Sequence, residues 1–148
     1  MKGREYEIQK MLVNYLESNC PDIQYRCDLG GLYLGTGLAL KVSRLQKTRA
    51  WPDLFIAHPT CFYAGLFIEI KESLDTLFTK EGKWREGKSY QHIYEQKSML
   101  EILRDDGYCA EFGCGFEHCR DLIDWYMRLP PPVFDLAPYL PDYPKRIR

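Results

Sequence analysis

No apolar run in the sequence approaches the ~18 residues that a bilayer-spanning helix needs. The opening Met1-Lys2-Gly3-Arg4-Glu5 leads into polar-interrupted sequence rather than the apolar stretch of a secretory signal. The expectation is a cytoplasmic chain with no membrane partner. Charge of one sign is lacking as well: 20 Lys and Arg stand against 21 Asp and Glu, a net charge of −1. That excludes binding to nucleic acid as a bulk polycation and leaves a local basic surface as the remaining route. The six cysteines include no Cys-x-x-Cys pair, so without an export signal they read as reduced thiols. Cys109, Cys114 and Cys119 recur at five-residue intervals beside His118. Those intervals cross a strand, a turn and a helix start instead of forming two close ligand pairs, so a zinc-stabilised interaction domain stands only as an alternative. The Gly30–Gly37 loop lacks both the Lys-Ser/Thr of a phosphate loop and the third glycine of a dinucleotide fingerprint, and reads as a turn. There is no internal repeat.

What remains is 148 residues, 45% apolar and 28% charged, about one domain's worth of a globular chain. A first helix is expected from Arg4 to Ser18, with Ile8, Met11, Leu12, Tyr15 and Leu16 on one face. Asn19-Cys20-Pro21-Asp22 stops it. A short extended stretch follows near 23–29, and then an amphipathic helix from Thr36 to Lys47 with Leu38, Val42 and Leu45 on one side. Lys41, Arg44, Lys47 and Arg49 fall within nine residues that contain no acid. They are either a solvated face or a phosphate-contacting, DNA-binding patch. Trp51–Ala57 and Gly65–Lys71, apolar and bounded by Pro and Gly, read as strands. Residues 72–90 read as a polar, mobile excursion. Gln91–Asp105 is a helix with Ile93, Leu100 and Leu103 inward and His92 and Gln96 on the same side, ended by Asp106-Gly107. Tyr108–Gly113 is a strand and Glu117–Met127 a helix. The segment 128–148 holds six of the nine prolines and is expected to lie extended on the domain 1–127 or on a second subunit.

If the two strands form a hairpin centred on Cys61, paired residues sum to 122, and Asp53 falls opposite Glu69. Alternation then sets Asp53, Glu69 and Lys71 on one face and Leu54, Ile56, Leu66, Ile68 and Ile70 on the other. Two opposed carboxylates repel by roughly 4 kcal/mol at 4 Å and an effective dielectric of 20. They are tolerable if they share a proton, meet a cation or bind a metal. An all-oxygen site with a lysine beside it suits Mg²⁺ or Mn²⁺ and phosphodiester hydrolysis. The competing reading is a surface ion pair of Glu69 with Lys71, which sits poorly in an otherwise apolar, central-type strand. Glu5 lies on the stripe of Ile8, Leu12 and Leu16 and is either a further metal-site carboxylate or a solvated first-turn acid; Glu7 points off the edge.

Trp51-Pro52-Asp53-Leu54, Gly65-Leu66-Phe67-Ile68-Glu69-Ile70-Lys71, and His92-Ile93-Tyr94-Glu95-Gln96 followed by Gly107-Tyr108 resemble the VRR-NUC (virus-type replication-repair nuclease) domain of the PD-(D/E)XK superfamily, with phage-type stand-alone members most similar. The resemblance spans most of residues 4–127. It implies an α/β fold with a restriction-endonuclease-like core, a small mixed β-sheet flanked by helices. It further implies Mg²⁺- or Mn²⁺-dependent DNA cleavage, homodimers acting on branched DNA such as four-way junctions, and a bacterial or phage-infected host cell. By that resemblance Asp53 and Glu69 ligate the metal through carboxylates and Ile70 through its carbonyl. Lys71 is then the catalytic lysine, Gln96 the motif glutamine and Glu5 the helix glutamate. Ala50 stands where the family usually has glycine, which matters if that backbone needs positive φ. A DNA-binding module of the same fold that no longer cleaves is the nearest alternative.

Overall fold

The computed structural model describes residues 2–28 and 35–133. Helix α1 spans Lys2–Asn19 and buries Ile8, Leu12 and Leu16, four residues apart, so that one stripe meets the sheet. Met11, expected on that stripe, sits beside it and is exposed. The chain then forms strand β1 (Tyr25–Cys27), helix α2 (Thr36–Arg44), strands β2 (Leu54–Ile56) and β3 (Leu66–Lys71), helix α3 (Gln91–Asp105), strand β4 (Cys109–Cys114) and helix α4 (Gly115–Met127). Gly107, at φ 90°, turns the chain out of α3 in a conformation that a side chain would disfavour.

The sheet runs β1-β2-β3-β4. The first three strands are antiparallel, and β4 is parallel to β3 after the α3 crossover. One face carries Leu54, Ile56, Leu66, Ile68 and Ile70 into a core closed by α1 and α4. The other carries Phe67 and Ala110 against Leu100 and Leu103 of α3, with Phe55 and Tyr108 packed alongside. Phe55 and Phe67 stack at 4.4 Å between ring centroids. Because β3 is covered on both faces, all six of its residues are buried, Glu69 and Lys71 included. Gly113 of β4 makes this packing possible: a Cβ there would lie 2.3 Å from Cys119 Sγ and 2.7 Å from an Ile68 methyl.

The expected order of helices and strands is observed, and four details differ. Helix α2 stops at Arg44 rather than Lys47 and, among the described residues, has none buried, with Leu38, Leu40 and, just past its end, Leu45 exposed. Periodicity specifies an apolar face but does not supply its partner. Residues 72–90 are not a polar excursion: Leu77 is buried, and Phe78 pairs with Trp84, whose ring also meets Phe112. Three apolar anchors outweigh the surrounding charge. His92 is exposed, one position off the inward stripe of α3. The strands are shorter than expected, spanning 54–56 instead of 51–57 and 66–71 instead of 65–71. Of the Gly30–Gly37 loop, 30–34 lie outside the described residues, as does 134–148 of the proline-rich segment. Among the described residues no helix is long and apolar enough to cross a membrane.

Candidate active site

The β2–β3 register pairs Leu54 with Ile68, Phe55 with Phe67 and Ile56 with Leu66, each summing to 122. The ladder ends one step before Asp53 and Glu69. Pro52 has no N–H to continue it, and the Asp53 carboxylate takes over, with Oδ2 accepting the Ile70 N–H at 2.8 Å. Asp53 is thereby tied to the backbone between Glu69 and Lys71. In a strand a residue's N–H and C=O point to the same neighbour, so the Ile70 carbonyl lies on the Asp53 edge. On the α3 face, Lys71 Nζ donates to Glu69 Oε1 at 2.7 Å. Gln96, one turn along α3 from buried Ile93, donates through Nε2 to the same oxygen at 2.5 Å. Its own Oε1 is buried and has no hydrogen-bond partner among the described residues. Such an atom is costly unless something meets it.

Glu69 is 2% exposed and Lys71 4%. Burial, and then the Asp53 charge, push Glu69 up to about 8 despite the lysine beside it. Burial also pushes Asp53 up to about 6, against the Ile70 N–H and the Lys71 cation, which favour its ionised form. Two like-charged groups in a dry place with one lysine are a site short of positive charge. Glu5, half-buried on α1, adds its field to both carboxylates, while Glu7 is occupied on the surface with Lys10. Asp28 also adds to the field at Asp53, and its N–H donates to the Asp53 carbonyl at 2.7 Å. The sequence reading overlooked Asp28. Only the three-residue β1 brings it alongside Asp53, and neither so short a strand nor its pairing has a periodic signal.

The basic candidates divide. Lys41 and Arg44 lie exposed on the last turn of α2, and Arg49 is exposed just before Ala50. Lys47 lines a cleft of about 410 Å³ beside the carboxylates, with Trp51 and Phe55 among its walls. Ala50 needs no special backbone, since no non-glycine among the described residues has positive φ. The cysteines do not gather around His118. Cys109 and Cys119 belong to the apolar core, where burial pushes their thiols up to about 11 and 12, and His118 Nδ1 accepts the Cys114 N–H.

Among the described residues no three His, Cys, Asp or Glu side chains converge as metal ligands. The Asp53–Glu69 pair alone supplies two carboxylates, and Glu5 is not drawn in as a third. Two carboxylates and a carbonyl leave places for water and phosphate oxygens, which is how Mg²⁺ is usually held. The charge deficit and the unpartnered Gln96 Oε1 fit such an ion with its water.

No family model matches this chain, and no curated protein does. A solved structure titled "VRR_NUC domain protein" is similar in fold: 24% of residues are identical, 86% of this chain and 91% of that chain are covered, and the TM-score is 0.59.

Proposed function

We propose that this chain is a divalent-metal-dependent DNA endonuclease that hydrolyses phosphodiester bonds. The observation carrying this reading is the meeting of Asp53, Glu69 and Lys71 at the buried end of a hairpin, with the Ile70 backbone bound to Asp53. The Asp53 and Glu69 carboxylates and the Ile70 carbonyl would hold Mg²⁺ or Mn²⁺, which when bound polarises a phosphoryl oxygen and makes a bound water more acidic. Lys71 carries the positive charge that offsets the phosphorane-like transition state and can hold the attacking water by a hydrogen bond. Gln96 fixes the Glu69 carboxyl and offers its free Oε1 to a water. Hydrolysis forms a P–O bond to the water oxygen and breaks the P–O bond to the departing sugar oxygen, which takes up the proton that the water gives up. Lys41, Arg44, Lys47 and Arg49 are the DNA phosphate contacts in this reading. Branched DNA cut by a homodimer is the substrate arrangement that the resemblance favours, since two dyad-related sites suit symmetric nicks.

The test is cleavage of labelled junction, flap, duplex and single-stranded DNA with Mg²⁺ or Mn²⁺. The wild-type chain should cut at least one of them. Asp53→Asn and Lys71→Ala should each lose at least about 100-fold in rate, the scale of removing a group that stabilises transition-state charge. Unchanged cutting by either variant would overturn the assignment. DNA bound but left intact by the wild-type chain would favour the non-cleaving module.

A further inference from the structure

The cleft of about 410 Å³ beside Asp53 has a composition that phosphate contact alone does not call for. Its floor is aromatic. Arg26 faces Phe55 across β1–β2, and Phe55 faces Phe67 across β2–β3, so all three share the sheet face that carries Glu69. Trp51 packs edge-on against Phe67 at 5.4 Å yet remains 43% exposed, and it lines the cleft with Phe55. A large ring fixed against a core aromatic and still nearly half exposed can serve as a stacking platform. Polar groups stand around it. Arg26 and Lys47 supply positive charge, and Gln46 donates to Asp28 Oδ1 at 3.3 Å, so an amide and a carboxylate also border the cavity. Planar apolar wall, cations and hydrogen-bonding rim together match a nucleotide: base on the ring, edge on the amide and carboxylate, phosphate on the cations.

The position of the cleft extends the match. Trp51 precedes Asp53 by two residues, and Pro52 between them lines the cleft, so the platform adjoins the end of the site that carries Asp53. Base-paired nucleotides have both faces covered by their neighbours and cannot occupy such a platform without leaving the stack. We propose that this cleft is a binding subsite for one unpaired nucleotide next to the scissile phosphate, and that Trp51 selects DNA containing one. The inference rests on the nuclease reading for its substrate and shares only Lys47 with the residues assigned there.

Its test is binding, measured without cleavage, in chelator and then in Ca²⁺. The ligands are a DNA duplex carrying one unpaired nucleotide and the same duplex fully paired. The wild-type chain should prefer the first, and Trp51→Ala should lose about tenfold on it while changing little on the second. Trp51→Phe, which keeps a ring over Phe67, should retain most of the preference. Lys47→Ala should weaken both ligands alike and shallow the salt dependence. Because Trp51→Ala also removes a packed ring, quenching of tryptophan fluorescence is measured in parallel. The unpaired ligand should quench the wild-type chain more than the paired one, and Trp51→Phe should abolish that difference. Equal loss on both ligands with Trp51→Ala, equal binding by the wild-type chain, no binding at all, or quenching that persists in Trp51→Phe would each overturn the inference. Metal-dependent cutting with no Trp51-dependent preference sinks the subsite and leaves the nuclease. Trp51-dependent binding of DNA that is never cut sinks the nuclease and leaves the subsite.

Discussion

Glu69→Gln separates what Glu69 costs the fold from what it does for the site. In the metal-free chain Glu69 is pushed from 4.5 to about 8, first by burial and then by the Asp53 charge. The native state therefore holds this proton more tightly than the unfolded chain. Stability from the neutral form is fully present below about pH 4.5 and is lost as pH rises through about 8. The slope reaches about 1.4 kcal/mol per pH unit for one proton. Between pH 6 and 8 the loss from Glu69 alone comes to about 2 kcal/mol. Asp53, raised only to about 6, contributes mainly below that window. Glutamine keeps the shape and an acceptor for Lys71 and Gln96 but has no proton to lose. Urea unfolding in chelator at pH 6, 7 and 8 should give a wild-type stability that falls relative to Glu69→Gln by about 2 kcal/mol across the series. Saturating Mn²⁺ should remove that fall in the wild-type chain, because the ion binds the ionised carboxylates, and should do much less in the variant. A constant difference between the two chains from pH 6 to 8 would refute the argument, since Glu69 would then ionise as an exposed acid does.

Gly113→Ala should destabilise the chain by about 2–3 kcal/mol, because its Cβ would overlap Cys119 Sγ and Ile68 in a closed core. Adding Cys119→Ala should recover about 1 kcal/mol relative to the sum of the single changes, measured by denaturant midpoints. Gln96→Ala frees the Glu69 carboxyl on one side and should weaken Mn²⁺ binding by about 10–100-fold in calorimetry, while urea midpoints move little.

Much of this arrangement was legible in the residues because alternation and turn chemistry act locally. Centring a symmetric hairpin on Cys61 gave the register that pairs 54–56 with 66–68, and with it the relation of Asp53 to Glu69 and Lys71. The inward stripe of α3 placed Gln96 within reach of Glu69, whereas the adjacent His92 shares the stripe on a helical wheel only loosely and lies outside. Contacts between distant segments were not legible. Asp28 depends on the pairing of a three-residue strand, and the Leu77–Trp84 fold-back on a few apolar anchors among many charges. The exposure of the apolar side of α2 among the described residues depends on what distant segments pack there, which periodicity does not report. The cleft between Trp51 and Lys47 needs β1, β2 and the turn after α2 together, so no single stretch announces it.

The mixed sheet divides the contacts of the acidic centre into local and distant ones. Asp53 and Glu69 meet through a local hairpin, whereas Gln96 and the covering strand β4 come from across a longer crossover, whose closure carries the larger entropic cost. An early species holding the hairpin alone would keep its two acids in water, where their repulsion is weak. The repulsion would grow as α3 and β4 dry the site, so on such a route the closing contacts would form against charge that the hairpin had already brought together. Divalent ions present during refolding should therefore speed the late phase and leave the early one unchanged.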